Sequence, residues 1–478
     1  MTPLEVLQRY PAHDYTLYGV LASRVQARPD HSFVEFRDEK YSYAETRARV
    51  HETMALLAAH DVKPGDRVAV MSTNHPATVF ALIALASLGA TMVGVNPDFG
   101  EKEARYVLEH SGSSGIICSP AALPTVQAVV ATLPTKPWIM TNDPNEVGLP
   151  ILTGLIGATE SNITRDAPPP VGRADDISVI IYTSGTTGFP KGVMHSQRSV
   201  VFAGEGFVRR MHLQPEERVL CVLPMFHVNA IFYSFSGSLA AGATLLLEER
   251  FSASSFWKTI AARKATETNT IAAVMNILMR RPREEFVPAH TLKKIYGAPL
   301  SGEMYRIFGD EFDVADLIEG YGMSEIPGAL NNPFDGERRK GSMGKPSQHP
   351  DSAVTLADVK IVDDDFNDVP VGTPGEIVVP TPTIMKGYYR DPDATAAAFR
   401  DGYVLTGDLG ASMPTATSGS SRARRTSSGA AARTSRAPRS TGSPAIIRTL
   451  SRRRQSAYRR TSARTRYCSR WSGSRAAR

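Results

Sequence analysis

Between residues 67 and 140 the chain repeats one pattern. A short, β-branched apolar run is followed by a longer segment with apolar residues at helical spacing. Residues 68–71 predict a strand and 77–88 a helix. Residues 91–95 predict a strand and 101–110 a helix, 115–118 a strand and 123–133 a helix, and 138–140 a further strand. Strands alternating with helices imply a mostly parallel, helix-covered sheet of the α/β class. Ahead of this, residues 1–60 predict a helical leading segment and a strand pair around 33–36 and 41–43. The alternation resumes with strands at 218–223 and 244–247, helices at 231–240 and 254–263, and a strand end at 295–297. From Val354 the pattern changes to short strands, 359–362 and 375–379, between Gly, Pro and Asp turns. That predicts a small antiparallel β subdomain over about 345–410.

The run Ile177-Ser178-Val179-Ile180-Ile181-Tyr182 predicts a buried strand. It leads directly into Thr183-Ser184-Gly185-Thr186-Thr187-Gly188-Phe189-Pro190-Lys191. Glycines let backbone N–H groups turn toward one point and leave room for a bulky anion. The hydroxyls add donors, and Lys191 adds a mobile positive charge. This is a loop suited to a polyphosphate. It is not a Walker A loop, whose Lys is followed by Ser or Thr and a helix. Here Gly192-Val193-Met194 predicts a second short strand, so the loop joins a hairpin. A plain Gly/Ser/Thr linker is the competing reading, and the length of the motif directly after a strand argues against it.

The stretch resembles the AMP-binding signature of the adenylate-forming superfamily, which includes acyl-CoA and aryl-CoA ligases. Further stretches resemble the same family in the same order. Gly320-Tyr321-Gly322-Met323-Ser324-Glu325 offers an aromatic ring that can stack on a purine, a hydroxyl for phosphate, and a carboxylate for Mg²⁺. The resemblance gives these roles to Tyr321, Ser324 and Glu325; most members have Thr where Ser324 stands. It makes Gly297-Ala298-Pro299-Leu300 a wall of the adenine site. In Leu405-Thr406-Gly407-Asp408 it makes Asp408 the acceptor for both ribose hydroxyls. His227, in Leu223-Pro224-Met225-Phe226-His227, would lie by the acyl pocket; otherwise it is a core histidine after a strand. Gly387-Tyr388-Tyr389 is expected to be structural. The resemblance covers about residues 1–410, and the middle of the chain is most similar to crotonobetaine/carnitine-CoA ligases and fatty acyl-CoA synthetases.

The resemblance implies ATP-dependent, AMP-forming activation of a carboxylic acid, then transfer to CoA. Catalysis would fall to Lys191, Ser324, Glu325 and His227. The nucleotide would be held by Thr183, Ser184, Gly185, Thr186, Thr187, Gly188, Lys191, Gly297, Ala298, Pro299, Tyr321, Gly322, Ser324 and Asp408. Glu325 would hold the metal.

Composition changes the picture in one region. Residues 411–478 contain seventeen Arg and no Lys, Asp or Glu, which leaves 37 basic against 48 acidic residues before them. The body is therefore acidic although the whole chain carries a formal charge of +6. The Arg/Ser/Ala-rich tail lacks hydrophobic periodicity and is expected to be disordered. A basic arm for nucleic acid or membrane is the competing reading, but such an arm ordinarily mixes Lys with Arg. A reading-frame shift near residue 411 explains the tail better. In one adjacent frame, codons for 413–421 can read Asp-Ala-Asp-Gly-Tyr-Phe-Trp-Phe-Val. Those for 425–435 can read Lys-Asp-Ile-Ile-Arg-Arg-Arg-Gly-Glu-Asn-Ile. Both resemble the family's hinge and the start of its mobile C-terminal lid, which supplies a lysine for adenylation. Without a lid the expectation is an impaired ligase or an inactive nucleotide-binding remnant.

No secretory signal is visible at the N-terminus. Cys118, Cys221 and Cys468 are scattered without metal spacing, which suggests a reducing, cytoplasmic setting. The longest apolar stretch, 78–95, reads as a buried helix running into a strand rather than a membrane span.

Overall fold

The computed structural model describes residues 1–143, 167–183, 190–339, 341–380 and 382–413, together with the backbone of 446–449. The repeated pattern of the first half builds a six-stranded sheet. Its order is Trp138–Thr141, Gly115–Cys118, Arg67–Met71, Thr91–Val95, Ile177–Thr183, Lys191–Ser196. The first five strands are parallel and the sixth is antiparallel. Residues alternate between faces, as a period of two demands. Val68 and Val70 enter one core, while Ala69 and Met71 enter a second core beneath the helices Glu101–Ser111 and Leu123–Thr132.

A second, larger sheet runs parallel from Ser32–Phe36 through Thr244–Leu247, Arg218–Cys221, Glu267–Asn269 and Lys294–Gly297 to Asp316–Met323. There it turns antiparallel through Ile326–Asn331 and Ser342–Pro346. The antiparallel strands expected from about 345 onward continue this sheet as Gly375–Val379, Lys360–Val362 and Tyr403–Met413. The last strand extends three residues into the region read as a tail. The backbone of Ile446–Thr449 lies between it and Ser342–Pro346. That strand falls on Ile446 and Ile447, β-branched residues in a stretch dominated by small and basic ones. The remainder of the tail lies outside the described residues.

The inner faces of both sheets share one core with the helices Pro76–Ser87 and Gln197–Met211. Every residue of Pro76–Ser87 is buried, which explains why its apolar residues cover the whole circumference rather than one stripe. No helix among the described residues is long and apolar enough to cross a membrane. The helix expected over 231–240 is a π-helical turn, Ala230–Phe235, followed by an α-helix, Ser236–Ala241. There Ser236 Oγ donates to the Val200 carbonyl, and a Cβ on Gly204 would collide with the Ser236 backbone. The close approach of the two helices sets the local winding.

Glu205, on the Gln197–Met211 helix, is buried between two rings from distant segments. His13 Nε2 lies 3.2 Å from one carboxylate oxygen and His349 Nε2 2.9 Å from the other. Each ring accepts a backbone N–H at Nδ1, from Tyr15 and Asp351 respectively. Each Nε2 is therefore left as a donor to the carboxylate. Burial alone would raise the Glu205 pKa, but the hydrogen bonds from His13 and His349 outweigh it and bring it down to about 2. A carboxylate with a depressed folded pKa gives stability that is complete above its unfolded value and is lost as pH falls through the folded one. Thermal unfolding between pH 4.5 and 2 should therefore show a slope that Glu205→Gln lacks. Glu205→Leu, which strands both imidazole N–H groups, should cost about 2–4 kcal/mol at pH 7 in urea titrations.

Candidate active site

The hairpin expected around the phosphate loop is present at both feet. Ile177–Thr183 pairs with Lys191–Ser196 so that Thr183 stands opposite Lys191. Ser184, Gly185, Thr186, Thr187 and Gly188 lie outside the described residues. The feet are clamped by one helix, Glu101–Ser111. Its Tyr106 hydroxyl donates to the Pro190 carbonyl over 3.0 Å, and its His110 Nδ1 meets the Tyr182 hydroxyl at 2.7 Å.

On its other side the Lys191–Ser196 strand pairs with residues 386–389. Lys386 N–H donates to the Met194 carbonyl, Met194 N–H to that of Gly387, and Tyr389 N–H to that of Gly192. This pairing carries Tyr388 into the site. Its hydroxyl donates to Glu325 Oε1 over 2.8 Å, and Lys191 Nζ lies 4.8 Å from its ring centroid. The backbone pairing agrees with the structural role expected of Gly387-Tyr388-Tyr389, and the Tyr388 side chain makes these contacts in addition.

Ser324 and Glu325, both buried, form the turn between Asp316–Met323 and Ile326–Asn331. Gly322 is required in this hairpin, because a Cβ there would lie 2.6 Å from the Gly328 nitrogen. The turn is anchored from below by His195, whose Nε2 lies 2.7 Å from the Ser324 carbonyl oxygen. A carbonyl only accepts, so that nitrogen carries the proton. Burial lowers the His195 pKa to about 4, and the ring is neutral.

Tyr321, on the same hairpin, donates its hydroxyl to Asp408 Oδ2 over 2.8 Å. Asp408 is presented by a turn in which Gly407 adopts φ +67°, a left-handed conformation suited to glycine. The Gly407 N–H donates to Glu376, and Thr406 Oγ1 donates to the Ile377 carbonyl. Gly297, Ala298 and Pro299 follow the neighbouring strand Lys294–Gly297. The next residue, Leu300, donates its N–H to Glu319 Oε1 over 3.1 Å. Burial pushes the Glu319 carboxyl up to about 7, and its second oxygen is buried without a hydrogen-bond partner. The signal for Glu319 in the sequence was a lone acid after Leu317-Ile318.

His227 is exposed, contrary to the core-histidine alternative. The mass of protein around the ring still lowers its pKa from the ordinary histidine value. Asn74 shapes the segment before it, donating to the Leu223 and Glu248 carbonyls and accepting the Met225 N–H. No described hydrogen bond or ion pair joins His227 to the Tyr321–Asp408 or Tyr388–Glu325 contacts. The structure thus joins Lys191, Glu325, Tyr321 and Asp408 through the head of one hairpin.

A family model described as AMP-binding enzyme matches residues 21–389. The chain belongs to the AMP-binding enzyme family. It is 30% identical to the sulfoacetate–CoA ligase of Cupriavidus necator over 402 residues, covering 83% of this chain and 75% of that protein. It is 31% identical to the crotonobetaine/carnitine–CoA ligase of Proteus mirabilis, covering 78% and 72%. Among solved structures, it aligns with the inhibitor-bound N-terminal domain of FACL13 from Mycobacterium tuberculosis. The TM-score is 0.73 and the identity 26%, over 83% of this chain and 96% of that one. By family this AMP-binding enzyme is an acid–thiol ligase.

The neutral His195 beneath the Ser324 turn makes a pH prediction distinct from that for Glu205. A histidine whose folded pKa is lowered gives stability that is complete above its unfolded value near 6.5 and is lost as pH falls toward about 4. His195→Gln keeps a donor for the Ser324 carbonyl but does not titrate. The melting temperature of the wild type should fall more steeply than that of His195→Gln between pH 6.5 and 4.5.

Proposed function

We propose that the chain binds ATP·Mg²⁺ and a carboxylic acid and catalyses AMP-forming activation of that acid, with CoA as the later acceptor. The observation that carries this reading is the 321–325 hairpin head. It meets Asp408 on one side and the Tyr388–Lys191 pair on the other. Tyr321 would take the adenine beside the 297–299 turn, Asp408 the ribose hydroxyls, and residues 183–191 with Ser324 the phosphates. Among the described residues no group of three or more His, Cys, Asp or Glu is placed to cage a metal. Mg²⁺ usually takes only one or two protein carboxylates and completes its shell with phosphate and water. Glu325 would be its ligand, and the ion would supply charge to the phosphate oxygens.

In the first half-reaction a carboxylate oxygen of the acid attacks the α-phosphorus, forming the acyl–O–P bond as the bond to pyrophosphate breaks. The protein's work is positioning and charge stabilisation on the phosphoryl oxygens, assigned to Lys191 and the loop donors. In the second half-reaction the CoA thiolate attacks the acyl carbon and AMP leaves. His227 is assigned to the acyl side. The acid is a fatty acid or a similar small carboxylate, and the setting is cytoplasmic.

Turnover should be slow. The Arg-rich composition after Met413 does not resemble the family's lid, and losing one preorganised donor typically costs on the order of 10²–10³ in rate. An inactive remnant that still binds nucleotide is the second reading, favoured by the same composition. ATP–pyrophosphate exchange and thioester formation separate the two when this chain is compared with a version whose reading frame is restored after Gly410. The expected outcome is measurable but much slower exchange, with thioester formation hit harder. Equal rates would show that the lid is dispensable, and no exchange at all would favour the remnant. Nucleotide binding gives a further check. Asp408→Asn should weaken AMP binding about tenfold, and its effect should be non-additive with that of Tyr321→Phe, because the two share a hydrogen bond.

A further inference from the structure

We propose that Tyr388 is a positioning residue that aims the Glu325 carboxylate at a divalent cation and couples it to Lys191. The inference rests on the reading above, in which Glu325 holds Mg²⁺ and Lys191 meets the phosphates. Its basis is that one side chain touches both groups. The Tyr388 hydroxyl donates to Glu325 Oε1 over 2.8 Å, and Lys191 Nζ stands 4.8 Å from the centroid of the same ring. Among the described residues Tyr388 is the one side chain hydrogen-bonded to this carboxylate. Lys191 and Glu325 form no direct ion pair there, so the phenol is the link between them.

A buried carboxylate with a single hydrogen bond among the described residues is poorly compensated by them for its lost water. The deficit is what a cation would fill. A donor on one oxygen fixes the plane of the group and leaves the other oxygen for the metal, which is how outer partners commonly orient ligands. The donor is itself rigidly mounted. Tyr388 N–H donates to Thr395 Oγ1 over 2.9 Å, and Gly387 and Tyr389 on either side bond to Met194 and Gly192. The turn it addresses is also tied to the same segment, because Met385 N–H donates to the Glu325 carbonyl over 2.9 Å. The ring meanwhile gives the Lys191 ammonium a face to rest on without consuming its charge in a salt bridge. An ammonium held this way keeps its hydrogen-bonding capacity for an incoming phosphate.

The test is ATP binding by titration calorimetry on the full chain, over a series of Mg²⁺ concentrations and in EDTA. Tyr388→Phe keeps the ring and loses the hydroxyl. It should raise the Mg²⁺ concentration needed for half-maximal enhancement of ATP affinity about tenfold, while affinity in EDTA stays at the wild-type value. Tyr388→Leu also removes the ring. It should weaken ATP binding in EDTA about threefold as well. Glu325→Gln is the control and should abolish the Mg²⁺ enhancement. If Glu325→Gln leaves the enhancement intact, the assignment of Glu325 fails and the inference falls with it. If Glu325→Gln abolishes it but Tyr388→Phe titrates like wild type, the role of Tyr388 alone is overturned. Equal losses for Tyr388→Phe with and without Mg²⁺ would make the residue a packing element and overturn the inference too.

Discussion

The candidate site depends on the antiparallel pairing of Lys191–Ser196 with residues 386–389. Three backbone hydrogen bonds join the six-stranded sheet to the segment that follows the strand Gly375–Val379 of the larger one. Each is worth only about 1 kcal/mol net, but together they fix direction and register. With the register set, alternate side chains go to opposite tasks. Tyr388 points to Glu325, while the Tyr389 hydroxyl donates to the Ser111 carbonyl and Arg390 to that of His110. Those carbonyls end the helix that clamps the phosphate-loop feet, and a helix C-terminus leaves such groups without internal partners. A distant part of the chain therefore caps the clamp and reaches the hairpin head at once.

The first half of the fold was legible because its strands and helices differ in length, branching and period. The first five strands of the six-stranded sheet fall within about a residue of their expected places, and the sixth, expected over 192–194, runs Lys191–Ser196. The larger sheet was harder. The strand Glu267–Asn269 is buried yet entirely polar, and it pairs on both sides. Burial raises the Glu267 pKa well above its ordinary value, and neither carboxylate oxygen has a hydrogen-bond partner. A buried acid inside a sheet cannot be found from hydrophobic periodicity, since its burial is imposed by its neighbours. The hairpin of Asp316–Met323 and Ile326–Asn331 escaped for another reason. Its glycines and Pro327 read locally as loop, and the strand conformation follows from pairing with Lys294–Gly297 and Ser342–Pro346.

The same division applies to the site. Residues assigned to a ligand through their own chemistry, such as Tyr321, Glu325, Asp408 and Lys191, stand in compact motifs and can be singled out one by one. Residues that act by touching other residues were not. Tyr388 sat in a motif given a structural role, and neither Glu319 nor His195 carried a motif. Their contacts join segments 129 residues apart for His195 and Ser324, and 63 for Tyr388 and Glu325. Linear spacing holds no trace of such pairs.

Charge explains why these supporting contacts matter. The first 410 residues hold 48 acidic against 37 basic side chains, so the field around the body opposes a polyanion. Affinity for a triphosphate must then come from local features strong enough to overcome that field at short range. Backbone N–H groups in a glycine-rich loop, one lysine, and a cation recruited by a carboxylate are such features, and each works only when aimed. An acidic body also holds a divalent cation more readily than a basic one would, which makes a single well-oriented carboxylate sufficient. On the proposed reading, orientation takes the place of net positive charge: His195 meets the Ser324 carbonyl and Tyr388 the Glu325 carboxylate without adding charge of either sign.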